Sequence, residues 1–163
     1  MALPQDHNHQ HCIDTALSCA QQVCKEHNAR LTTLRQQVLL LIWQNHRPLG
    51  AYDLMAMLAQ ETGRQIAPPT VYRALDFLLS LGLIHRIHSL NAYIGCPNPS
   101  HQHQSYFFIC AKCHHTVESN DQRLATTIAD VGVATGFSMT QAFLEVLGLC
   151  SQCQQDCSLE GLQ

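Results

Sequence analysis

Two pairs of cysteines with the same spacing stand in the second half of the sequence. The first pair is Cys110 and Cys113 in CAKC, and the second is Cys150 and Cys153 in CSQC. Two cysteines separated by two residues supply two thiolates from one tight turn, and four thiolates at about 2.3 Å satisfy tetrahedral zinc. The two pairs therefore predict a structural zinc site that joins the two ends of this segment.

Two alternative roles for the paired cysteines involve no metal. A thioredoxin-like redox pair needs a single Cys-x-x-Cys after a strand in a βαβ unit, and chance pairs of buried cysteines need no common spacing. Neither role accounts for two matched pairs. The remaining cysteines, apart from Cys96, have no assigned role, and a thiol redox sensor that uses them is an alternative: Cys12, Cys19, Cys24 and Cys157.

A second group of potential ligands surrounds the first cysteine pair. His85 and Cys96 stand at the two ends of a predicted hairpin, His101 and His103 follow it, and Glu118 comes after the CAKC turn. A closed set of imidazole, thiolate and carboxylate suits zinc, and the thiolate disfavours magnesium, calcium or manganese. Taken singly, these residues are more often a partly buried histidine, a small apolar cysteine or a solvated carboxylate.

Charge is distributed unevenly along the chain, although the formal net charge is only −3. Residues 25–90 carry seven Lys and Arg against four Asp and Glu, whereas residues 91–163 carry two against six. A basic surface is the electrostatic requirement for binding nucleic acid. Any such surface is therefore expected in the first half.

The first half is predicted to form four consecutive helices and a hairpin. Apolar periodicity places helices around Ile13 to Cys24, after a Thr33 cap reinforced by Gln36, from Ala51 to Thr62, and after a Thr70 cap that follows two prolines. The strands LIHRIH and AYIGC flank a Ser-Leu-Asn turn. These elements predict a winged helix-turn-helix.

The last of these helices presents a polar face at its start. Thr70, Arg73, Asp76 and Ser80 point away from the apolar stripe, with Tyr72 beside them. A helix-turn-helix places the first residues of its second helix at the major groove, where Arg can hydrogen-bond guanine or phosphate. The plainer alternative is a helical bundle with a solvated arginine.

The rest of the chain is predicted to form a second domain. Residues 97–104 have a linker composition, which gives a DNA-binding domain at 1–96 and an α+β domain at 105–163. No stretch approaches the ~18 apolar residues of a membrane span, and the N-terminus has no signal-like segment. We therefore expect a cytoplasmic protein whose cysteines bind metal.

Several of these motifs together resemble the ferric uptake regulator family, and most closely its zinc uptake regulator branch. They are RLTTLR, AYDL, PPTVYRALDFLLSLGLIHRI, NAYIGC, FFICAKCHHTVE and GLCSQC, and they cover residues from about 13 to 153. The resemblance implies a homodimer with an N-terminal winged-helix domain, a C-terminal α+β dimerisation domain and about two zinc ions per protomer.

By motif, the resemblance also assigns residues. The structural zinc falls on the four paired cysteines, and the DNA contacts fall on Tyr52 and Arg73, with Tyr72 and Thr70 beside them. The regulatory zinc falls on His85, Cys96, His103 and Glu118, with His101 close enough to replace His103.

The resulting expectation is a zinc-responsive repressor of zinc-uptake genes that binds a double-stranded operator as one or two dimers. An iron- or manganese-sensing regulator of the same fold is the nearest alternative. A zinc hydrolase or deaminase is the alternative from another class, but the sequence contains neither HExxH nor an H-x-E paired with a Cys-x-x-Cys. We therefore do not expect an enzyme.

Overall fold

The computed structural model describes residues 9–45, 47–99 and 105–160, with side chains described from residue 11 to residue 156 of these ranges. The chain divides between residues 102 and 103 into two compact units. Each unit has its own three-stranded sheet. No described helix combines the length and the apolar character that a bilayer crossing needs.

The first unit contains four helices and a small sheet. Its elements are α1 (His9–Glu26), α2 (Thr33–Gln44), β1 (Leu49–Gly50), α3 (Ala51–Thr62), α4 (Pro68–Ser80), β2 (Ile84–Ile87) and β3 (Ala92–Gly95). One apolar core joins the helices to the sheet, and the fully buried side chains include Val38, Leu54 and Leu75. This unit is the predicted winged helix-turn-helix, with β2 and β3 as the wing.

Two predicted helix starts are wrong by one to three residues. The N-cap of α2 is Thr32 rather than Thr33, and its side chain makes no capping hydrogen bond. The helix α4 begins at Pro68, so that Thr70 lies inside its first turn with Ala67 as the N-cap. Proline suits the first helical position because its fixed φ is already helical and its missing N–H has no partner there.

The wing is an antiparallel pair in which Ile84 lies opposite Gly95 and His85 lies opposite Ile94. Asn91 in the connecting turn has a φ of 47°, a left-handed conformation that Asn tolerates better than most residues. The two-residue strand β1 pairs with β3 and completes the sheet in the order β1-β3-β2. The sequence analysis missed β1 because a strand of two residues is too short to show an alternation of apolar and polar side chains.

The second unit has an α+β fold, as predicted. Its elements are β4 (Tyr106–Cys110), β5 (Thr116–Ser119), α5 (Gln122–Ala134), β6 (Leu144–Gly148) and α6 (Ser151–Glu160). The central strand β4 is antiparallel to β5 and parallel to β6. Because parallel strands end at the same edge of a sheet, the turns that follow β4 and β6 lie side by side.

Two elements near the C-terminus differ from the prediction. The segment FSMTQAFLEVLGLC, residues 137–150, predicts a strand, but the strand covers only Leu144–Gly148, and the residues after Cys150 form α6. The segment SQCQQDCSLE has too few apolar residues to form a stripe, so periodicity gave no helix signal there. This helix places Cys153 in its first turn.

Candidate metal centres and nucleic-acid interface

The four paired cysteines form one cluster at the edge where β4 and β6 end. Cys110 is the last residue of β4, Cys113 lies in the turn after it, and Cys150 and Cys153 lie at the start of α6. The four sulfur atoms all lie within 4.8 Å of one another. The structure thus brings together every residue of the predicted structural site.

The spacing of these sulfur atoms fits a tetrahedral metal. Cys113 Sγ and Cys150 Sγ lie 3.7 Å apart. A tetrahedron with zinc–sulfur bonds of about 2.3 Å has sulfur–sulfur edges of roughly 3.8 Å, whereas a disulfide requires about 2.05 Å. The sulfur spacing is therefore compatible with a Cys₄ zinc site, and the separation of Cys113 Sγ and Cys150 Sγ is too long for a disulfide.

Backbone donors prepare one of these thiols for metal binding. The N–H of Cys150 donates to Cys110 Sγ at 3.4 Å. This bond, together with N–H groups of Cys113 and Lys112, lowers the pKa of the Cys110 thiol to about 6. Burial raises the pKa of Cys153 to about 12. The cluster thus favours the thiolate form of Cys110. A divalent cation bound there would stabilise the thiolate forms of the other three cysteines.

A second pair of ligands lies at the base of the wing. His85 is the second residue of β2, and Cys96 follows β3 directly, with its N–H donating to the carbonyl of Leu83 at 3.1 Å. The ligand atoms of His85 and Cys96 lie within 4.8 Å of each other. They are diagonal neighbours across the two strands and so occupy the same face of the hairpin.

Of the other predicted regulatory ligands, Glu118 belongs to the second unit. Glu118 lies on β5, where its Oε1 accepts a hydrogen bond of 2.6 Å from Ser105 Oγ. Sequence analysis missed Ser105, since a single serine next to a linker gives no signal of its own. His101 and His103 lie outside the described residues.

The predicted DNA-contacting residues are all exposed on α3 and α4. Tyr52, in the first turn of α3, is 77% exposed, and Tyr72 on α4 is 38% exposed. Thr70 and Arg73 are exposed in the first two turns of α4. The opposite face of α4 is buried, so these side chains are free to meet a ligand outside the core.

The helix α4 is held against α2 by Arg35, a residue that sequence analysis did not single out. The guanidinium of Arg35 on α2 lies 3.4 Å from the centroid of the Phe77 ring, and its Nη1 donates to the carbonyl of Arg30. A cation over an aromatic face is attracted by the ring quadrupole. Arg35 thus connects α2 to the helix that carries Arg73.

The fold and the two clusters define a winged-helix protein that carries candidate metal-binding residues in each of its units. The chain belongs to the Ferric uptake regulator family, whose sequence model matches residues 26–147. This confirms the family suggested by the motifs.

Similar proteins include several that are named zinc uptake regulators. The chain is 36% identical over 140 residues to the zinc uptake regulation protein of Escherichia coli (strain K12), a match that covers 84% of this chain and 80% of that protein. It superimposes with a TM-score of 0.83 on a zinc uptake regulator complexed with zinc and DNA, at 32% identity, covering 94% of this chain and 99% of the other. Holo XcZur gives a TM-score of 0.78 at 38% identity, covering 88% and 99%.

Proposed function

We propose that this protein is a zinc-responsive transcriptional repressor that binds double-stranded operator DNA near zinc-uptake genes. The observation that carries the proposal is the metal-ligand pair of His85 and Cys96 at the base of the hairpin that follows the exposed face of α4. The match to a zinc uptake regulator complexed with zinc and DNA supports it. The relatives bearing that name favour zinc over iron or manganese.

We assign the structural zinc to Cys110, Cys113, Cys150 and Cys153. The grouping of their sulfur atoms within 4.8 Å of one another supports this assignment. Bound there, zinc would contribute folding free energy by joining the ends of β4 and β6. The cysteines hold the second unit together and take no part in sensing.

The regulatory zinc is assigned to His85, Cys96, His103 and Glu118, which gives about two zinc ions per protomer. The thiolate of Cys96 is the main reason to prefer zinc, because manganese and ferrous ions are harder and favour oxygen and nitrogen ligands. Cys96 is buried and His85 half-buried, which limits competition from water for these ligands.

We further propose a homodimer formed through the second unit. Phe108 on β4 lies opposite Val117 on β5 and Val146 on β6, so the three side chains form a row across one face of the sheet. They are 45%, 50% and 39% exposed in the single chain. Apolar rows of this kind are normally covered, and a second copy of the sheet would cover both rows at once.

Control of DNA binding then follows from geometry. A two-fold dimer needs its recognition helices roughly 34 Å apart, or a multiple, to enter successive major grooves. Regulatory ligands drawn from both units would fix that distance. If the competent fraction rose from about 1% to nearly all, the apparent DNA affinity would improve by about 100-fold, or ~2.7 kcal/mol. Such a repressor would act in the cytoplasm, where the chromosome is.

The test is a zinc titration of metal-depleted protein followed by the anisotropy of a labelled palindromic operator, with bound zinc counted at each step. One zinc should be retained by the four cysteines, and a second should switch on DNA binding. Cys96→Ser should lose only the second. DNA binding that does not change with the second zinc would contradict the proposal, and so would hydrolase or deaminase turnover with DNA binding absent.

A further inference from the structure

The indole of Trp43 lies directly against the backbone of Gly95, the residue before Cys96. A methyl group added at Gly95 would lie 2.4 Å from Trp43 Cε2, 2.6 Å from Nε1 and 2.9 Å from Cζ2. Heavy atoms that are not bonded do not approach so closely. Glycine is therefore needed here for the close approach of a ring to the backbone.

The ring lies on the face of the wing opposite to the metal ligands. Gly95 pairs with Ile84, a buried core residue, and successive residues of a strand point to opposite faces. His85 and Cys96 share the other face of the two strands. Trp43 thus packs against β3 at Gly95, next to Cys96 in sequence, on the face opposite to the metal ligands.

Trp43 is itself well anchored. It lies in the last turn of α2, whose end is closed by Asn45, with Nδ2 donating to the carbonyl of Leu41 at 2.8 Å. The buried face of α2 packs in the core of the first unit. A large ring on an anchored helix cannot follow small movements of the wing, so it restricts where β3 can end.

We propose that Trp43 is a positioning residue for the regulatory zinc site. Its indole fixes the backbone at Gly95 and so the place of Cys96 Sγ relative to His85. Zinc binding at Cys96 is thereby coupled to the packing of α2 against β3. The inference rests on the regulatory site proposed above, and it adds a residue that touches no metal.

The contact also has a spectroscopic readout. The sequence contains one tryptophan, so intrinsic tryptophan emission reports on this ring alone. Zinc bound to Cys96 would change the position or mobility of β3 against the indole. The emission of Trp43 should therefore change with the second zinc equivalent and not with the first, which goes to the four cysteines.

The experiment uses the full-length protein carrying its first zinc. A second zinc is added in competition with a chromophoric chelator, while tryptophan emission is recorded. Gly95→Ala should lower the affinity for the second zinc by at least about 10-fold, which corresponds to ~1.4 kcal/mol. The double variant Trp43→Phe with Gly95→Ala should recover most of that loss, because the smaller ring leaves room for the methyl group.

Gly50→Ala is the matched control. Gly50 lies on β1 in the same sheet, has an ordinary extended backbone, and an added methyl would meet only the mobile end of Asp53, at 3.1 Å. It should bind the second zinc like the wild type. If Gly95→Ala does not fold, Trp43→Phe alone replaces it as the test variant, because it is a milder change that keeps an apolar ring. It should lower the affinity for the second zinc several-fold.

The outcomes separate the two proposals. If the wild type binds a second zinc, Trp43 emission does not respond, and Gly95→Ala or Trp43→Phe binds it equally well, the positioning role is wrong and the regulatory site stands. If the wild type binds no second zinc at all, the assignment of the regulatory site is wrong, and so is the positioning role proposed for Trp43.

Discussion

Cys113 and Cys150 are separated by 37 positions in the sequence, and their sulfur atoms lie 3.7 Å apart. One follows β4 and the other follows β6, and the parallel pairing of these strands brings them together. The proposed metal site thus depends on a long-range strand pairing, and the pairing in turn should depend on the metal.

Cys150→Ser should release the structural zinc and destabilise the second unit. Removing one thiolate of four leaves an incomplete tetrahedron, and structural zinc sites contribute folding free energy directly. We expect bound zinc to fall by one per protomer and the thermal unfolding midpoint to drop by more than about 10 °C. Cys12→Ser removes a half-buried thiol outside both clusters and should change neither quantity. Retention of both zinc ions by Cys150→Ser would contradict the assignment.

Arg73→Ala should weaken specific operator binding by about 1–3 kcal/mol without unfolding the protein. Arg73 is exposed near the start of α4, where loss of its side chain costs no core packing. Operator anisotropy at two salt concentrations is the measurement, since lost phosphate contacts also reduce the salt dependence. Arg123→Ala removes one exposed positive charge from the second unit, away from the cysteine cluster, and serves as the control. Equal losses in the two variants would mean that net charge, and not α4, determines the affinity.

Arg35→Met should destabilise the first unit by about 1 kcal/mol. Methionine keeps the apolar stem of Arg35 but removes the cation over Phe77 and the hydrogen bond to the carbonyl of Arg30. Urea unfolding followed by Trp43 emission measures this unit alone. Arg64→Met, at an exposed position after α3, should change the midpoint little. An unchanged midpoint in Arg35→Met would show that the ring contact has no net energetic effect.

Tyr93 should make the first unit sensitive to alkaline pH. Burial raises the pKa of its phenol above 10.0, mainly by desolvation of the phenolate. The folded state then binds more protons than the unfolded state above pH 10, so stability is complete below that pH and falls as pH rises further. Tyr93→Phe should lose less stability than the wild type as the pH rises above about 10. Denaturant midpoints read by Trp43 emission would measure this, and parallel losses would contradict it.

Phe108→Asp should convert the proposed dimer into a monomer. It places a charge in the centre of the apolar row formed with Val117 and Val146, where dimerisation would bury it without a partner. Sedimentation equilibrium should show at least a 100-fold weaker self-association, or about 2.7 kcal/mol. Ala56→Asp adds the same charge at an exposed position on α3 and should leave the dimer intact. A dimeric Phe108→Asp protein would place the interface elsewhere.

The elements that could be predicted from the sequence are those with strong local signals. The helix α3 ends at Gly63 in the left-handed region, and the wing is bounded by turn residues, so their limits agreed closely with expectation. The Cys-x-x-Cys pairs were recognisable from their spacing alone. The family was recognised from motifs, and its model matches residues 26–147.

What could not be predicted depends on contacts between distant residues or on segments without periodicity. Neither the ring of Phe77 under Arg35 nor the glycine under Trp43 has a local signature. The start of α4 was placed at Thr70 because threonine is a common cap, but Ala67 is the N-cap and the two prolines begin the helix. The polar segment that forms α6 gave no signal.

The parallel arrangement of β4 and β6 would make the proposed structural zinc a reversible cross-link. Cys110 and Cys150 enclose a segment of about 40 residues, and a covalent bridge closing such a loop would stabilise the fold by roughly 4 kcal/mol through the entropy of the unfolded chain. A disulfide in that place could be broken only by a reductant. A metal cross-link is broken by a chelator instead, so severe zinc depletion would open the second unit and expose it to proteases, shortening the lifetime of the protein itself.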